Sequence, residues 1–260
     1  MAQILSTPIA FHFHSTDTLN QLTVTRHMAA FRVASKTLEK YYMQLKKMPL
    51  PETASPHKQI FPYPTSYDSL PDEDRLTRTF NFEYDSPVAQ EKLIFFATEQ
   101  TSCRKICVKF AQTYSLEAHQ CLASLGHAPA LQGFRKVAGG WIMVVFDALL
   151  DFETLHACPK SSLPPSIFED MSEKLAMFHT AGFVHGDIRD VNVMVSKTKP
   201  IRFMFVDFDW SGKGGTARYP SRVNNETVDR PQDAFYGNII TAGHDRFMLD
   251  RIVYRYKRSK

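Results

Sequence analysis

Four polar residues in the C-terminal third of the chain have the types and spacing that chemistry requires. They are His185, Asp187, Asn192 and Asp207. A carboxylate can hold or deprotonate a hydroxyl group, and carboxylate and amide oxygens are ligands that Mg²⁺ prefers. Two short apolar runs, residues 192–195 and 202–206, predict a hairpin that brings Asn192 and Asp207 together. The alternative is that all four are ordinary turn residues.

The order of these residues resembles the catalytic core of protein kinases and of aminoglycoside and choline phosphotransferases. Those families have HxDxxxxN, then a short hairpin, then an aspartate in a DFG-like turn. This chain reads HGDIRDVN at residues 185–192 and VDFDW at residues 206–210. With GKGGTARYP at residues 212–220, the motifs resemble a group of fungal protein-kinase-like proteins over roughly residues 60–253.

This resemblance implies phosphoryl transfer from ATP with Mg²⁺, a reaction that depends on positioning and charge neutralisation. It implies that Asp187 is the catalytic base and that Arg189 neutralises the transferred phosphate. It also implies that Asn192 and Asp207 hold Mg²⁺. His185 and Asp245 would support the catalytic loop, although Asp245 could equally be a helix N-cap.

The resemblance also assigns residues upstream of the loop to ATP. Lys109 lies in ICVKF, a predicted strand, where kinases have the lysine that reaches the α- and β-phosphates. The alternative is an edge-strand lysine that extends to water. Glu117 is the candidate to pair with Lys109 from the next helix, and it could equally be an ordinary exposed helix residue.

The strand WIMVVF ends where the resemblance implies a hinge between two lobes. Phe146 would be the gatekeeper, and the backbone of Asp147 and Leu149 would contact the adenine. Cys107 would lie over the base. The alternative interpretation is simply the end of a buried strand.

Three departures from the kinase pattern leave two functions open. The expected phosphate-binding hairpin, residues 85–91, contains no glycine, and glycine lets a backbone approach phosphates closely. Asp209 occupies the glycine position of the DFG-like turn, and only 53 residues follow Asp207. The chain is either an active kinase-like phosphotransferase of unknown acceptor, protein Ser/Thr or small hydroxyl compound, or a pseudokinase that binds ATP or partners without catalysis.

Apolar spacing predicts the remaining elements. Helices are expected at residues 15–47, 115–124 and 165–181, and a further helix follows His244. Strands are expected at residues 79–84, 92–98, 105–110 and 141–146. Six prolines between residues 49 and 71 indicate an irregular or extended connector.

The predicted fold class is α+β, a bilobal protein-kinase-like fold with a reduced C-lobe and an extra N-terminal helical segment. We expect a helical extension and connector at residues 1–60, an N-lobe at 61–150 and a C-lobe with a basic tail at 151–260.

Composition narrows the class of protein. The chain has 260 residues, 43% hydrophobic, with 20 Phe and 10 Tyr, which argues against disorder. The net charge of +4 is matched by five basic residues against one Asp in residues 250–260, so nucleic-acid binding is not favoured. Four cysteines without a CxxC pair make a zinc site improbable.

No apolar run could span a bilayer and no signal peptide is apparent, so an intracellular, cytoplasmic protein without membrane partners is expected.

Overall fold

The computed structural model describes residues 18–45, 61–62, 64–71, 76–89, 92–221 and 223–258. The chain divides into two units, residues 1–62 and 63–260. In the first unit, helix α1 spans Thr18–Leu45, within the predicted 15–47. Most of the predicted connector lies outside the described residues. None of the described helices is long and apolar enough to cross a membrane.

The first half of the second unit is a six-stranded antiparallel sheet that closes on itself. Its strands are β1 (Ser66–Ser69), β2 (Thr79–Pro87), β3 (Ile94–Glu99), β4 (Lys105–Ala111), β5 (Leu131–Val137) and β6 (Trp141–Asp147). The strand order is β1-β2-β3-β4-β6-β5, and β1 pairs with both β2 and β5 to close the ring. Helix α2, Leu116–Ser124, connects β4 to β5, and Ser115 caps it by accepting a hydrogen bond from the Ala118 amide.

Two of these strands were not predicted. β1 falls inside the predicted irregular connector, and β5 lies in a segment for which no element was expected. β5 reads LQGFRKV, in which a glycine and two basic residues interrupt the apolar alternation. Pairing with β6 and β1 therefore sets its conformation more than its own side chains do.

Gly133 makes the closure of the sheet possible. A Cβ at this position would lie 2.1 Å from the Asp68 carbonyl oxygen and 2.6 Å from the Tyr67 ring. We expect Gly133→Ala to lower the free energy of unfolding by about 1–3 kcal/mol, because the neighbour is backbone and must shift. The matched control is Gly243→Ala in an open helical site, which should be neutral or stabilising by about 0.5–1 kcal/mol. Urea unfolding measures the free energy of unfolding of both variants. Equal changes in the two would show that the space at Gly133 is not restricted.

The second half of the unit contains the remaining elements. They are β7 (Phe152–Thr154), α3 (Ile167–Thr180), β8 (Phe183–Val184), β9 (Val193–Ser196), β10 (Phe203–Phe205), β11 (Gly212–Lys213) and α4 (Ala242–Arg258). β9 and β10 form the predicted hairpin, and β7 pairs with the other edge of β9. Four apolar positions of α3, spaced about one turn apart, are buried in one core with the hairpin and α4. They are Ile167, Met171, Leu175 and Phe178. The proposed domain boundary at residue 150 stays a prediction.

Candidate active site

The loop between β8 and β9 carries the predicted catalytic residues. Gly186 has φ of +83°, and a Cβ there would lie 2.8 Å from the Ile240 side chain, so the loop requires glycine at this point. The buried Asp187 accepts a hydrogen bond at Oδ2 from Asn192 Nδ2 at 2.8 Å. Because Asn192 donates through its nitrogen, its side-chain oxygen is the atom left to ligate a cation.

Two guanidinium groups flank the Asp187 carboxylate. Arg189 Nη2 donates to Oδ2 at 2.6 Å, and Arg230 Nη2 donates to Oδ1 at 2.5 Å. The Arg230 side chain is only 2% exposed, it lies over the Trp210 ring at 4.7 Å, and it also donates to the Gly186 carbonyl at 3.3 Å. The carboxylate is thus held in one orientation from both sides.

Sequence reasoning missed Arg230. It lies in a polar stretch, residues 221–233, without helical or strand periodicity. Its neighbours are brought together only by the tertiary fold, so local spacing offered no signal that could have found it.

Asp245 lies beneath the loop with an exposed fraction of 0%. Its two oxygens accept hydrogen bonds from the backbone amides of His185 and Gly186, both at 2.7 Å, and Oδ2 also lies 3.0 Å from His179 Nε2. The alternative that Asp245 is an N-cap is wrong, because α4 begins at Ala242 and the Thr241 hydroxyl accepts a hydrogen bond from the His244 amide at 3.3 Å. Asp245 therefore contacts the catalytic loop directly.

The DFG-like turn lies opposite the strand lysine. Asp207 has φ of +75°, and its Oδ1 is 2.5 Å from Lys109 Nζ. The backbone amide of Val206 donates to the Asn192 carbonyl at 3.0 Å, which places the two predicted metal ligands on adjacent chain segments. Asp209 Oδ1 lies 2.6 Å from the same Lys109 nitrogen.

The protonation states of Lys109, Asp207 and Asp209 depend on one another. Burial favours a lower pKa for Lys109, but Asp207 and Asp209 outweigh burial and raise it. Burial favours a higher pKa for Asp207, but the Lys109 ammonium outweighs burial and lowers it. Burial raises the pKa of Asp209 to about 6, with Lys109 opposing that shift and Asp207 adding to it. Lys109 and Asp207 are thus held as an ion pair.

The structure does not pair Lys109 with Glu117. Glu117 is exposed in the first turn of α2, whereas the inward-facing residues of that helix are Ala118, His119 and Leu122. The predicted pairing is therefore wrong in this structure. The reason is helical geometry, because residues two apart point about 200° apart, and His119 is the one that faces inward.

A column of aromatic rings connects α2 to the catalytic loop. The His119 ring stacks on Phe208 at 4.6 Å between centroids and lies 5.7 Å from the Phe146 ring. Phe208 in turn lies 5.2 Å from the His185 ring. This column links the end of β6, helix α2, the DFG-like turn and the catalytic loop through side-chain contacts alone.

His119 makes the column sensitive to acid. Burial lowers the pKa of His119 from 6.5 to about 4, so the folded state keeps it neutral. Between pH 6.5 and about pH 4, the His119 ring binds a proton more readily in the unfolded chain than in the folded one. The free energy of unfolding therefore decreases as the pH falls through this range. When the pH is lowered from 7.5 to 5.0, we expect the free energy of unfolding of wild type to fall by about 2 kcal/mol more than that of His119→Gln, whose side chain cannot titrate. Urea unfolding at both pH values tests this, and parallel losses would contradict it.

The predicted hinge follows β6. Phe146 pairs in register with Cys107 of β4, and burial raises the pKa of the Cys107 thiol to about 12. The Asp147 amide donates to the Ala130 carbonyl at 3.0 Å and is therefore already occupied. The Leu149 amide donates to no group within the described part of the chain. Its contact with an adenine, like that of Asp147, stays a prediction.

The side chains suit a magnesium–nucleotide complex. No three His, Cys, Asp or Glu side chains among the described residues converge into a metal cage. Mg²⁺ on a nucleotide does not need such a cage, since it uses one or two protein oxygens together with phosphates and water. The buried Arg189 Nε has no hydrogen-bond partner in the ranges given above, which suits an anionic group nearby.

Comparison with known proteins supports the architecture. No family model matches the chain, and no curated protein is similar to it. Among solved structures, the kinase PK-1 of Cydia pomonella granulovirus is similar, with a TM-score of 0.57 and 14% identity over 69% of each chain. The chain has a protein-kinase-like fold. At this identity the likeness concerns the fold alone, and the similarity to fungal proteins and to aminoglycoside phosphotransferases stays a sequence resemblance.

Proposed function

We propose that the chain is an ATP- and Mg²⁺-dependent phosphotransferase of the protein-kinase-like superfamily. The observation that carries this proposal is the ion pair between Lys109 and Asp207, which are 98 residues apart and meet at 2.5 Å. A kinase-like site needs a buried cation for the nucleotide phosphates and a carboxylate for the metal at this point. Both are present, and they neutralise each other until a ligand separates them.

The roles of the other residues follow from their contacts. Asn192 and Asp207 would hold Mg²⁺, which when bound neutralises charge on the phosphates. Asp187 Oδ1 accepts one hydrogen bond, from Arg230, and so keeps a lone pair for an acceptor hydroxyl. Arg189 donates to Asp187 through Nη2, and its side chain is 32% exposed, so its guanidinium group could also meet a phosphate oxygen. The acceptor would be a protein serine or threonine or a small hydroxyl compound.

A matched pair of lysines on one strand tests the proposal. Lys109 is buried and faces Asp207, whereas Lys105 on the same strand is exposed and pairs with Asp85 at 3.0 Å. With ATP labelled in the γ-phosphoryl group, we expect Lys109→Met to lower transfer to peptides, small alcohols or water by about 10²–10³-fold. Lys105→Met should retain wild-type transfer, and equal rates for both variants would refute the assignment.

The second candidate is a pseudokinase, which two observations favour. The hairpin at residues 85–91 has no glycine, and both Asp187 oxygens are engaged by guanidinium groups. Such a protein would bind ATP without turning it over. Saturable Mg²⁺–ATP binding, together with no labelled product above the Lys109→Met background, would favour this candidate over the phosphotransferase.

A further inference from the structure

Lys109 has two carboxylate partners where one would suffice to neutralise it. Its ammonium lies 2.5 Å from Asp207 Oδ1 and 2.6 Å from Asp209 Oδ1, and its side chain is only 8% exposed. Removing the sole partner of a buried charge is strongly destabilising. A second carboxylate therefore becomes important whenever the first one is needed elsewhere.

Helix α2 does not supply that second carboxylate. Its inward face presents the His119 ring, which is occupied by the Tyr114 hydroxyl at 2.8 Å and the Pro129 carbonyl at 2.7 Å. Glu117 would reach Lys109 only if the helix rotated by nearly half a turn. That rotation would break both hydrogen bonds of His119 and its stacking on Phe208.

Asp209 is fixed to the segment that carries Lys109. The Thr113 hydroxyl, just beyond the end of β4, donates to the Asp209 carbonyl at 2.8 Å. The Ser115 amide, at the cap of α2, donates to the Phe208 carbonyl at 3.1 Å. The turn that bears Asp209 thus remains beside Lys109 even when the Asp207 carboxylate points elsewhere.

We propose that Asp209 is the standing counter-ion of Lys109 and takes the place that a glutamate of the adjacent helix would otherwise have. This inference rests on the proposed function. With Mg²⁺–ATP bound, Asp207 would hold the metal, and Asp209 would keep the Lys109 ammonium directed at the α- and β-phosphates. Asp209 is in this account a positioning residue and ligates no metal.

A labelling experiment tests the pairing without relying on nucleotide chemistry. The rate at which acetic anhydride acetylates Lys109 is followed by mass spectrometry in the Asp207→Asn background, where Asp209 is the remaining partner. We expect Asp207→Asn and Asp207→Asn/Glu117→Gln to label at equal rates. Asp207→Asn/Asp209→Asn should label about tenfold faster or more, because the buried charge then has no partner.

A conservative rescue separates lost pairing from lost folding. Asp207→Asn/Asp209→Glu restores the carboxylate and should return labelling toward the Asp207→Asn rate, with near-UV circular dichroism confirming the fold of each variant. Failure of the rescue in a folded variant would overturn the proposal. So would faster labelling in the Glu117→Gln double variant, because that result would make Glu117 the partner.

A kinetic measurement distinguishes positioning from metal binding. Asp209→Asn should lower turnover by about tenfold or more at saturating ATP and Mg²⁺, since a misplaced group is costly in phosphoryl transfer. The Mg²⁺ concentration at half-maximal rate should stay at the wild-type value. If turnover instead recovers at high Mg²⁺, Asp209 is a metal ligand and the proposal is wrong. If wild type shows no turnover, the proposed function fails, and the labelling result still decides the pairing.

Discussion

Asp187→Asn is expected to lower phosphoryl transfer by about 10²–10⁴-fold, the usual contribution of a positioned proton acceptor. The amide cannot accept the hydroxyl proton, and it also loses the charge that Arg189 and Arg230 both contact. Lys109 and Asp207 pair with each other, and an asparagine at position 187 keeps one oxygen that can accept the Asn192 hydrogen bond. The affinity for Mg²⁺–ATP should therefore remain near wild type. Single-turnover transfer from γ-labelled ATP and equilibrium nucleotide binding measure the two quantities.

The control for this variant is Asp151→Asn, which changes an exposed aspartate. It should match wild type in transfer and in binding. Transfer by Asp187→Asn within a few-fold of wild type would show that Asp187 is not the base. Loss of nucleotide binding together with transfer would show instead that the substitution disrupts the loop.

Asp245→Asn is expected to cost about 1–3 kcal/mol of stability, because a buried backbone amide loses its acceptor. The carboxylate accepts one backbone amide on each oxygen, whereas an asparagine has a single acceptor oxygen. One of the His185 and Gly186 amides would then face an NH₂ group and stay unsatisfied. Urea unfolding measures the change in the free energy of unfolding.

Asp250→Asn is the matched control, because Asp250 lies on the same helix and is exposed. It should change stability by less than about 0.5 kcal/mol. A small effect of Asp245→Asn would show that the loop is held by its other contacts, among them the Ser211 hydroxyl that donates to the His185 carbonyl.

The elements with strong apolar periodicity could be predicted from the sequence. The spacing of Ile167, Met171, Leu175 and Phe178 predicted α3, and the structure buries all four. Two apolar runs around a turn predicted the β9–β10 hairpin, which brings Val206 to Asn192. In these cases the local pattern and the tertiary packing favour the same structure.

The strands that close the sheet could not be predicted from their own residues. β1 is four residues long and reads SYDS, and β5 contains Gly133. Their conformations depend on each other and on β6, and these are long-range pairings that local propensity does not encode.

In the candidate active site, too, only the residues that are joined by local spacing could be predicted from the sequence. The pattern of the catalytic loop pointed to Asp187, Asn192 and Asp207, whose spacing is local or joined by one hairpin. Arg230 contacts Asp187 from 43 residues away, and nothing in its own segment indicates this. The assignment of Glu117 was wrong because the rotation of α2 is set by the packing of His119 rather than by sequence spacing.

The most direct test of a nucleotide–metal site at Asp207 is thermal unfolding with ATP, with and without Mg²⁺, for wild type and Asp207→Asn. A ligand that binds only the folded state at 100 times its Kd adds about 2.7 kcal/mol of stability, which raises Tm by several degrees. We expect ATP with Mg²⁺ to raise the Tm of wild type, and we expect Asp207→Asn to lose the Mg²⁺-dependent part of the rise. No rise for wild type at millimolar ATP, or an equal rise in both proteins, would contradict it.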